Sequence, residues 1–399
     1  MSSPVAPTEV IGMSAEGRPL VARRFGPADA ALRLLVVAGQ HGDEPWGRAA
    51  SARLATSLTA EAALTGAELA VVVIDNVNPD GARRDTRGNA AGNDLNRDHQ
   101  LLATPEIRAL HAFARAFRPR LVIDVHNYPY RRRNLLARDL VFASEVFVDV
   151  PTHPAIIERW GTATRDRLLT TLQAQLRRTG AGGDRYVRVK ASGRVRHSTA
   201  DAVDARNALA LACDAFSVLL EGRAPIAAAG AGAGARAVAA QHRALLAVLA
   251  WARRHAHLLT ATPADTPMVA VGCRYRNAEC GVTVACQDRR TGSPVAARFE
   301  RYAPDVEVTT RVTVPAAYAI PSGLREVRTV LRRHGFAAEA RPGFEGYEIF
   351  PTSQRGRWLT VLLDPRSRYG LHRHPGLGLD DPSTIIRIEP TGTEGASAS

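Results

Sequence analysis

Four apolar runs dominate the chain: LRLLVVAG at 32–39, ELAVVVID at 68–75, PRLVIDV at 119–125 and AFSVLL at 215–220. None alternates polar with apolar, and each is bounded by turn residues. They therefore read as strands buried on both faces, the parallel type. Each run ends in polar residues: Gln40-His41-Gly42-Asp43-Glu44, then Asn76-Val77-Asn78-Pro79-Asp80-Gly81, then His126-Asn127, then Glu221-Gly222. In an open α/β sheet the ligand crevice lies where strands leave the sheet at their carboxyl ends. The expected fold class is α/β, a mixed, largely parallel sheet flanked by helices, with a smaller β-rich or α+β C-terminal domain.

His41 and Glu44 form an HxxE pair and His126 follows another strand. Two histidines and one glutamate meet the requirement of a catalytic zinc, which takes three N/O ligands and leaves one position for water. The spacing of three lets a loop entering the helix PWGRAASARLATSL aim His41 and Glu44 at one ion. Alone the pair means little, because a glutamate also suits a helix N-terminus.

The stretch NPDGARRDTRGNAAGNDLNRDH at 78–99 supplies the rest of a set. The order HxxE, NPDG…R…DLNR, a strand ending in His and a strand ending in Glu resembles the carboxypeptidase A-like zinc peptidase family, which includes the related succinylglutamate desuccinylase and aspartoacylase group. The resemblance covers roughly the first 225 residues. It implies one Zn2+ per chain on His41, Glu44 and His126, with Asp94 orienting a ligand histidine from behind. It implies that Asn96 and Arg97 hold a substrate carboxylate and that Glu221, at the end of FSVLLE, is the catalytic base. Glu145 and Glu158 are expected to face solvent. The arginine that polarises the scissile carbonyl is Arg87 or, in another register, Arg84. Two departures stand out. The family's tyrosine upstream of the glutamate has no counterpart between Tyr186 and Glu221, and Asp98 stands where the family commonly has asparagine.

The substrate so implied is a peptide, or an N-acyl amino acid, with a free carboxylate beside the scissile amide. Arg131 to Arg133, and the arginines of 185–196 with Lys190 and His197, suggest a cationic pocket and an acidic terminal residue. The first class of function is thus a zinc carboxypeptidase, with an aspartoacylase-like N-acyl amino acid amidohydrolase as alternative. The second is a degenerate module that binds acidic peptides without cleaving them.

The net charge of +13 at 399 residues is compatible with acidic substrates or with an arginine-rich surface habit. No nucleic-acid motif accompanies it, and neither a nucleic-acid nor a membrane partner is expected. No apolar run reaches the length of a spanning helix, and the N-terminus lacks the order of a signal peptide. Cys213 reads as a buried small hydrophobe, and Cys273, Cys280 and Cys286 as free thiols, which fits a cytoplasmic location. The composition divides the chain into a catalytic domain at 1–225, a Gly/Ala-rich linker and helix at 226–262, an accessory domain at 263–390 and a disordered tail at 391–399. Leu245, Leu246, Leu249 and Trp251 should form a buried stripe on that helix. VTVAC, VEVTTRVTV and WLTVLL read as short alternating, strand-like stretches of the accessory domain, and His334, His372 and His374 there are not expected to bind metal. Oligomeric state is not legible.

Overall fold

The computed structural model describes residues 7–129, 132–225, 232–261 and 267–390. Arg131, the glycine-rich stretch 226–231 and the tail 391–399 lie outside the described residues, so the expectations on them do too.

Strands β1 (Thr8–Met13), β2 (Pro19–Phe25) and β3 (Leu32–Ala38) open the chain. Helix α1 (Pro45–Ala60), β4 (Leu69–Ile74), α2 (Pro79–Arg84), α3 (Pro105–Phe117) and β5 (Leu121–Pro129) follow. Next come α4 (Arg133–Leu136), β6 (Leu140–Phe142), β7 (Val146–Asp149), α5 (Pro154–Trp160) and α6 (Thr162–Arg178). Short strands β8 (Asp184–Arg185), β9 (Arg188–Val189) and β10 (Val195–Arg196), α7 (Ala210–Cys213) and β11 (Phe216–Ala224) complete this half.

One sheet of order β1-β2-β4-β3-β5-β11-β7-β8 forms the centre. Its four middle strands, β4, β3, β5 and β11, are the four apolar runs, and all three pairings among them are parallel. The antiparallel pairs lie outward of these, β1 with β2, β2 with β4 and β11 with β7. The fold is thus mixed α/β and mainly parallel at its core. Alternate side chains of β3 part to opposite faces, as the two-residue period of a strand demands. Leu34, Val36 and Ala38 pack with Leu54 of α1 and Leu168 of α6, whereas Leu35 and Val37 pack with Ile107, Leu110 and Phe113 of α3.

Helix α8 (Ala233–Arg254) also lies on the first face. Leu245, Leu249 and Trp251 are fully or almost fully buried there, and Gln241 reaches the sheet, donating to the carbonyl of His126. Its Oε1 stands so close to β11 that a Cβ at Gly222 would collide with it, which accounts for the glycine after Glu221.

The later residues form α9 (Ala256–Thr260), β12 (Met268–Arg276), β13 (Val282–Asp288), β14 (Pro294–Phe299), β15 (Tyr302–Ala303) and β16 (Asp305–Thr313). These are followed by β17 (Ala317–Pro321), α10 (Arg325–Arg333), β18 (Tyr347–Pro351), α11 (Gly356–Leu363) and β19 (Ile386–Ile388). This region is α+β in content, and two of its strands pair with the first half: β13 with β6, and β15 with β10. One stretch departs from the expectation. WLTVLL, grouped with the strands, lies in α11, where Trp358 to Leu363 are all buried. A short continuous apolar run has no periodicity to separate a buried helix from a buried strand. Among the described residues no helix is long and apolar enough to cross a membrane.

Candidate active site

The motif NPDG is a structural clamp. Asn78 caps α2, accepting from the Gly81 amide at 2.9 Å, and Pro79 fills the first helical turn, where its missing amide costs nothing. Asn78 also donates to the Gln40 carbonyl at 3.2 Å, while Asp80, fully buried, takes hydrogen bonds from Ser14 and Arg18. The loop carrying HGDE is thereby pressed onto α2, so close that a Cβ at Gly42 would overlap the Gly81 backbone.

This clamp sets His41 and Glu44 opposite His126 at the end of β5. His41 Nδ1 lies 2.7 Å from Glu44 Oε1, and His126 Nδ1 lies 2.9 Å from Glu44 Oε2. One donor atom from each of the three residues falls within 4.8 Å of the others, the spread of a metal-binding set. The far nitrogens are backed by carboxylates: His41 Nε2 is 3.0 Å from Asp94 Oδ1, and His126 Nε2 is 3.0 Å from Asp124 Oδ1. His41 Nε2 thus meets a carboxylate, and His126 Nε2 has the Asp124 acceptor beside the amide nitrogens of Asn96 at 3.0 Å and Gln40 at 3.3 Å, so a metal taken on each Nδ1 would leave the Nε2 hydrogens to Asp94 and Asp124. Asp124 was missed in the sequence. A lone acid in the otherwise apolar run LVIDV was its signal.

Electrostatics agree with a cation site. Burial disfavours charge on both imidazoles, yet Asp94 and Glu44 raise the pKa of His41, and Asp124 with Glu44 raises that of His126 well above its ordinary value. Against burial, which would raise it, the Glu44 carboxyl is held far below the usual range by His126 and His41. A cluster that holds protons this firmly would hold a divalent cation in their place.

Glu221 is the register partner of His126 on β11 and lines the same cavity, of about 430 Å³. Burial, with the Glu44 charge, raises its pKa against the opposing pull of His126 and Arg132. Arg87 and Arg97 line the cavity too, as does Asn96. Arg87 is 3.0 Å from Asp94 Oδ2 and 3.9 Å from Glu44 Oε1. Arg84 turns away to Glu16. Arg97 donates to the Asn96 carbonyl at 2.6 Å, and Asn96 Oδ1 accepts from the Ala205 amide at 3.1 Å, so both are held in place.

Tyr186, early as it comes in the chain, does reach the cavity wall, where its hydroxyl accepts from Arg132 at 2.9 Å. Of the other expected cations, Arg188 lines the cavity, whereas Arg185 is spent on buried Asp149 and His197 on the Tyr186 carbonyl and Tyr302. Buried Arg206 was not anticipated. It lines the wall but is tied to Asp149 and to the carbonyls of Val150 and Thr199. Asp98 has a structural task, accepting from the amides of Ala103 and Thr104 and from the Thr104 hydroxyl. Neither Glu145 nor Glu158 lines the cavity. Glu145 is exposed as expected, but Glu158 is not a free surface acid, because it accepts from the Ala270 amide at 2.8 Å and from Arg311 at 2.6 Å.

Residues 3–109 match the zinc carboxypeptidase family. That match agrees with the resemblance read from the motifs and ends before His126 and Glu221. The matched stretch holds His41, Glu44, Arg87, Asp94, Asn96 and Arg97. Among curated relatives, the "Probable carboxypeptidase 2" of Trichophyton verrucosum and the "Carboxypeptidase 2" of Trichophyton rubrum are each 26% identical over 192 residues, 46% of this chain. The chain spans only 37% and 36% of their lengths. The crystal structure of a proposed carboxypeptidase from Burkholderia mallei matches with a TM-score of 0.50 at 20% identity, over 63% of this chain and 65% of that one. That likeness concerns the fold. The family is zinc-dependent by name, and the His41–Glu44–His126 cluster fits such an ion in donor type, spacing and charge.

Proposed function

We propose that this protein is a zinc-dependent hydrolase that cleaves an amide bond next to a free carboxylate, most simply a carboxypeptidase removing a C-terminal acidic residue. The observation that carries the reading is the register pairing of Glu221 with His126, which puts an acid of raised pKa beside a three-ligand cluster in one cavity.

His41, Glu44 and His126 would hold one zinc, which when bound supplies a Lewis acid and lowers the pKa of water at the site. Glu221 takes the proton of the attacking water and passes it to the leaving amine; its raised pKa suits both steps. Arg87, at the cavity rim, faces the oxygen on which charge develops in the amide. Arg97, held by Asn96, forks onto the free carboxylate of the substrate. Arg132 and Arg188 add positive charge to the same cavity, which supports an acidic side chain on the substrate. The four free thiols support a reducing compartment, the cytoplasm.

The test is a panel of peptides ending in Glu, Asp, Leu or Lys, each with a free and an amidated terminus, together with N-acetyl and N-succinyl amino acids. Cleavage of the free forms alone is expected, with terminal Glu or Asp released faster than Leu or Lys. Cleavage of only the acyl amino acids would move the protein to the amidohydrolase group. Tight binding of acidic peptides without turnover would make it a binding module.

A further inference from the structure

A line of buried polar side chains leads from His126 into the protein core. Asp124 stands two residues earlier on β5, and its carboxylate can only accept. It receives Gln40 Nε2 at 2.8 Å as well as lying 3.0 Å from His126 Nε2. This fixes the Gln40 carboxamide: the amide faces Asp124, so Oε1 points the other way, 2.6 Å from His99 Nε2. An oxygen there requires the hydrogen of His99 on Nε2 and leaves Nδ1 as an acceptor. His111 Nε2, 3.0 Å from that nitrogen, must then be the donor. The lone pair that remains on His111 Nδ1 is buried and has no hydrogen-bond partner among the described residues. Such orphaned atoms are rare in cores. Here it is the end of a sequence of donors imposed from the Asp124 side.

None of these four side chains is more than 1% exposed, so solvent does not compete with the line. Burial also keeps both rings neutral, with the pKa of His99 pushed down to about 3 and that of His111 lower than its ordinary value by a wide margin. The direction of donation is therefore the same throughout the physiological range.

We propose that Gln40, His99 and His111 are positioning residues that hold Asp124 so that it receives the Nε2 hydrogen of His126 and leaves Nδ1 to the metal. This rests on the metal reading above. The two ligand histidines are then oriented in different ways. Asp94, behind His41, is partly exposed and tethered by Arg87 at the cavity rim, whereas Asp124 is tethered from the core. Removing a partner of a metal-bound histidine typically weakens metal binding by about 10- to 100-fold, and the lower end of that scale is expected two links further out, at His99, because every link between is buried.

The experiment compares zinc dissociation constants by chelator competition, on the full chain, for His99→Gln and His99→Met. Glutamine keeps an N–H donor near the place of Nε2; methionine fills the space without one. The glutamine variant should stay within about threefold of the unmutated chain, and the methionine variant should bind about tenfold or more weakly. Melting of the metal-free variants reports general packing damage separately. Unchanged affinity in both variants, or equal loss in both, overturns the proposal. If His99→Met does not fold, Gln40→Met stands in for it, with unmutated affinity overturning the proposal. An unmutated chain that binds no zinc overturns the metal reading itself.

Discussion

Glu221 and His126 are register partners on neighbouring parallel strands, so the candidate base and a candidate metal ligand project from adjacent points of one sheet edge. Glu221→Gln keeps the shape of the side chain and removes its ability to accept a proton. Zinc content should be unchanged and kcat should fall by at least ~10²-fold. A rate near that of the unmutated enzyme would assign the base to another residue.

The ligand set gives the second prediction. Metal analysis of purified protein should find about one zinc per chain, as expected for two histidines and a glutamate at one open site. His41→Ala, Glu44→Ala and His126→Ala should each lose most of it. Full occupancy in all three would end the assignment.

Arg97 is expected to meet the substrate carboxylate, and Arg97→Ala should weaken binding by ~2–5 kcal/mol, read as KM or inhibitor affinity. Arg132→Gln, by contrast, should spare peptides with a neutral terminal residue and slow those ending in Glu or Asp. Added salt should lower the rate on acidic peptides if the cavity arginines steer them. Equal effects of Arg132→Gln on neutral and acidic peptides would remove it from specificity.

A fourth prediction concerns pH and stability. His334 is fully buried, near the Gln100 carbonyl through Nε2 at 2.8 Å and accepting from Trp358 at Nδ1, and burial pushes its pKa down to about 3. Unfolded, it takes up a proton near pH 6.5. Between these values the unfolded state binds the extra proton, so its contribution to stability, intact above about pH 6.5, declines as pH falls toward 3. The slope is at most about 1.4 kcal/mol per pH unit. Urea unfolding at pH 7, 6 and 5 should show a shallower decline for His334→Gln than for the unmutated chain. Parallel declines would mean that the ring is already charged in the folded state.

The central sheet was legible because its four middle strands are continuous apolar runs, a pattern that few alternatives satisfy. His41, Glu44 and His126 were legible because polar residues follow those runs immediately. What the sequence concealed depended on contacts between distant segments. Arg84 and Arg87 look alike in RRDTR until Glu16 takes one and Asp94 the other. Tyr186 appeared misplaced because its distance along the chain says nothing of the turn that brings it against Arg132. Gln40, between an apolar run and HGDE, gave no sign that it bridges Asp124 to His99. WLTVLL was misread for a different reason, since burial on every side erases the periodicity that distinguishes helix from strand.

The pairing of β6 with β13, and of β10 with β15, has a consequence for ancestry and for engineering. Both junctions are backbone ladders, which a free terminus cannot replace with side-chain contacts. A fragment ending near residue 225 would present bare strand edges at Phe142 and Val195, an invitation to aggregate. The later residues are then not cargo that a lineage could shed or exchange freely. They and the cavity they brace would have to be inherited together.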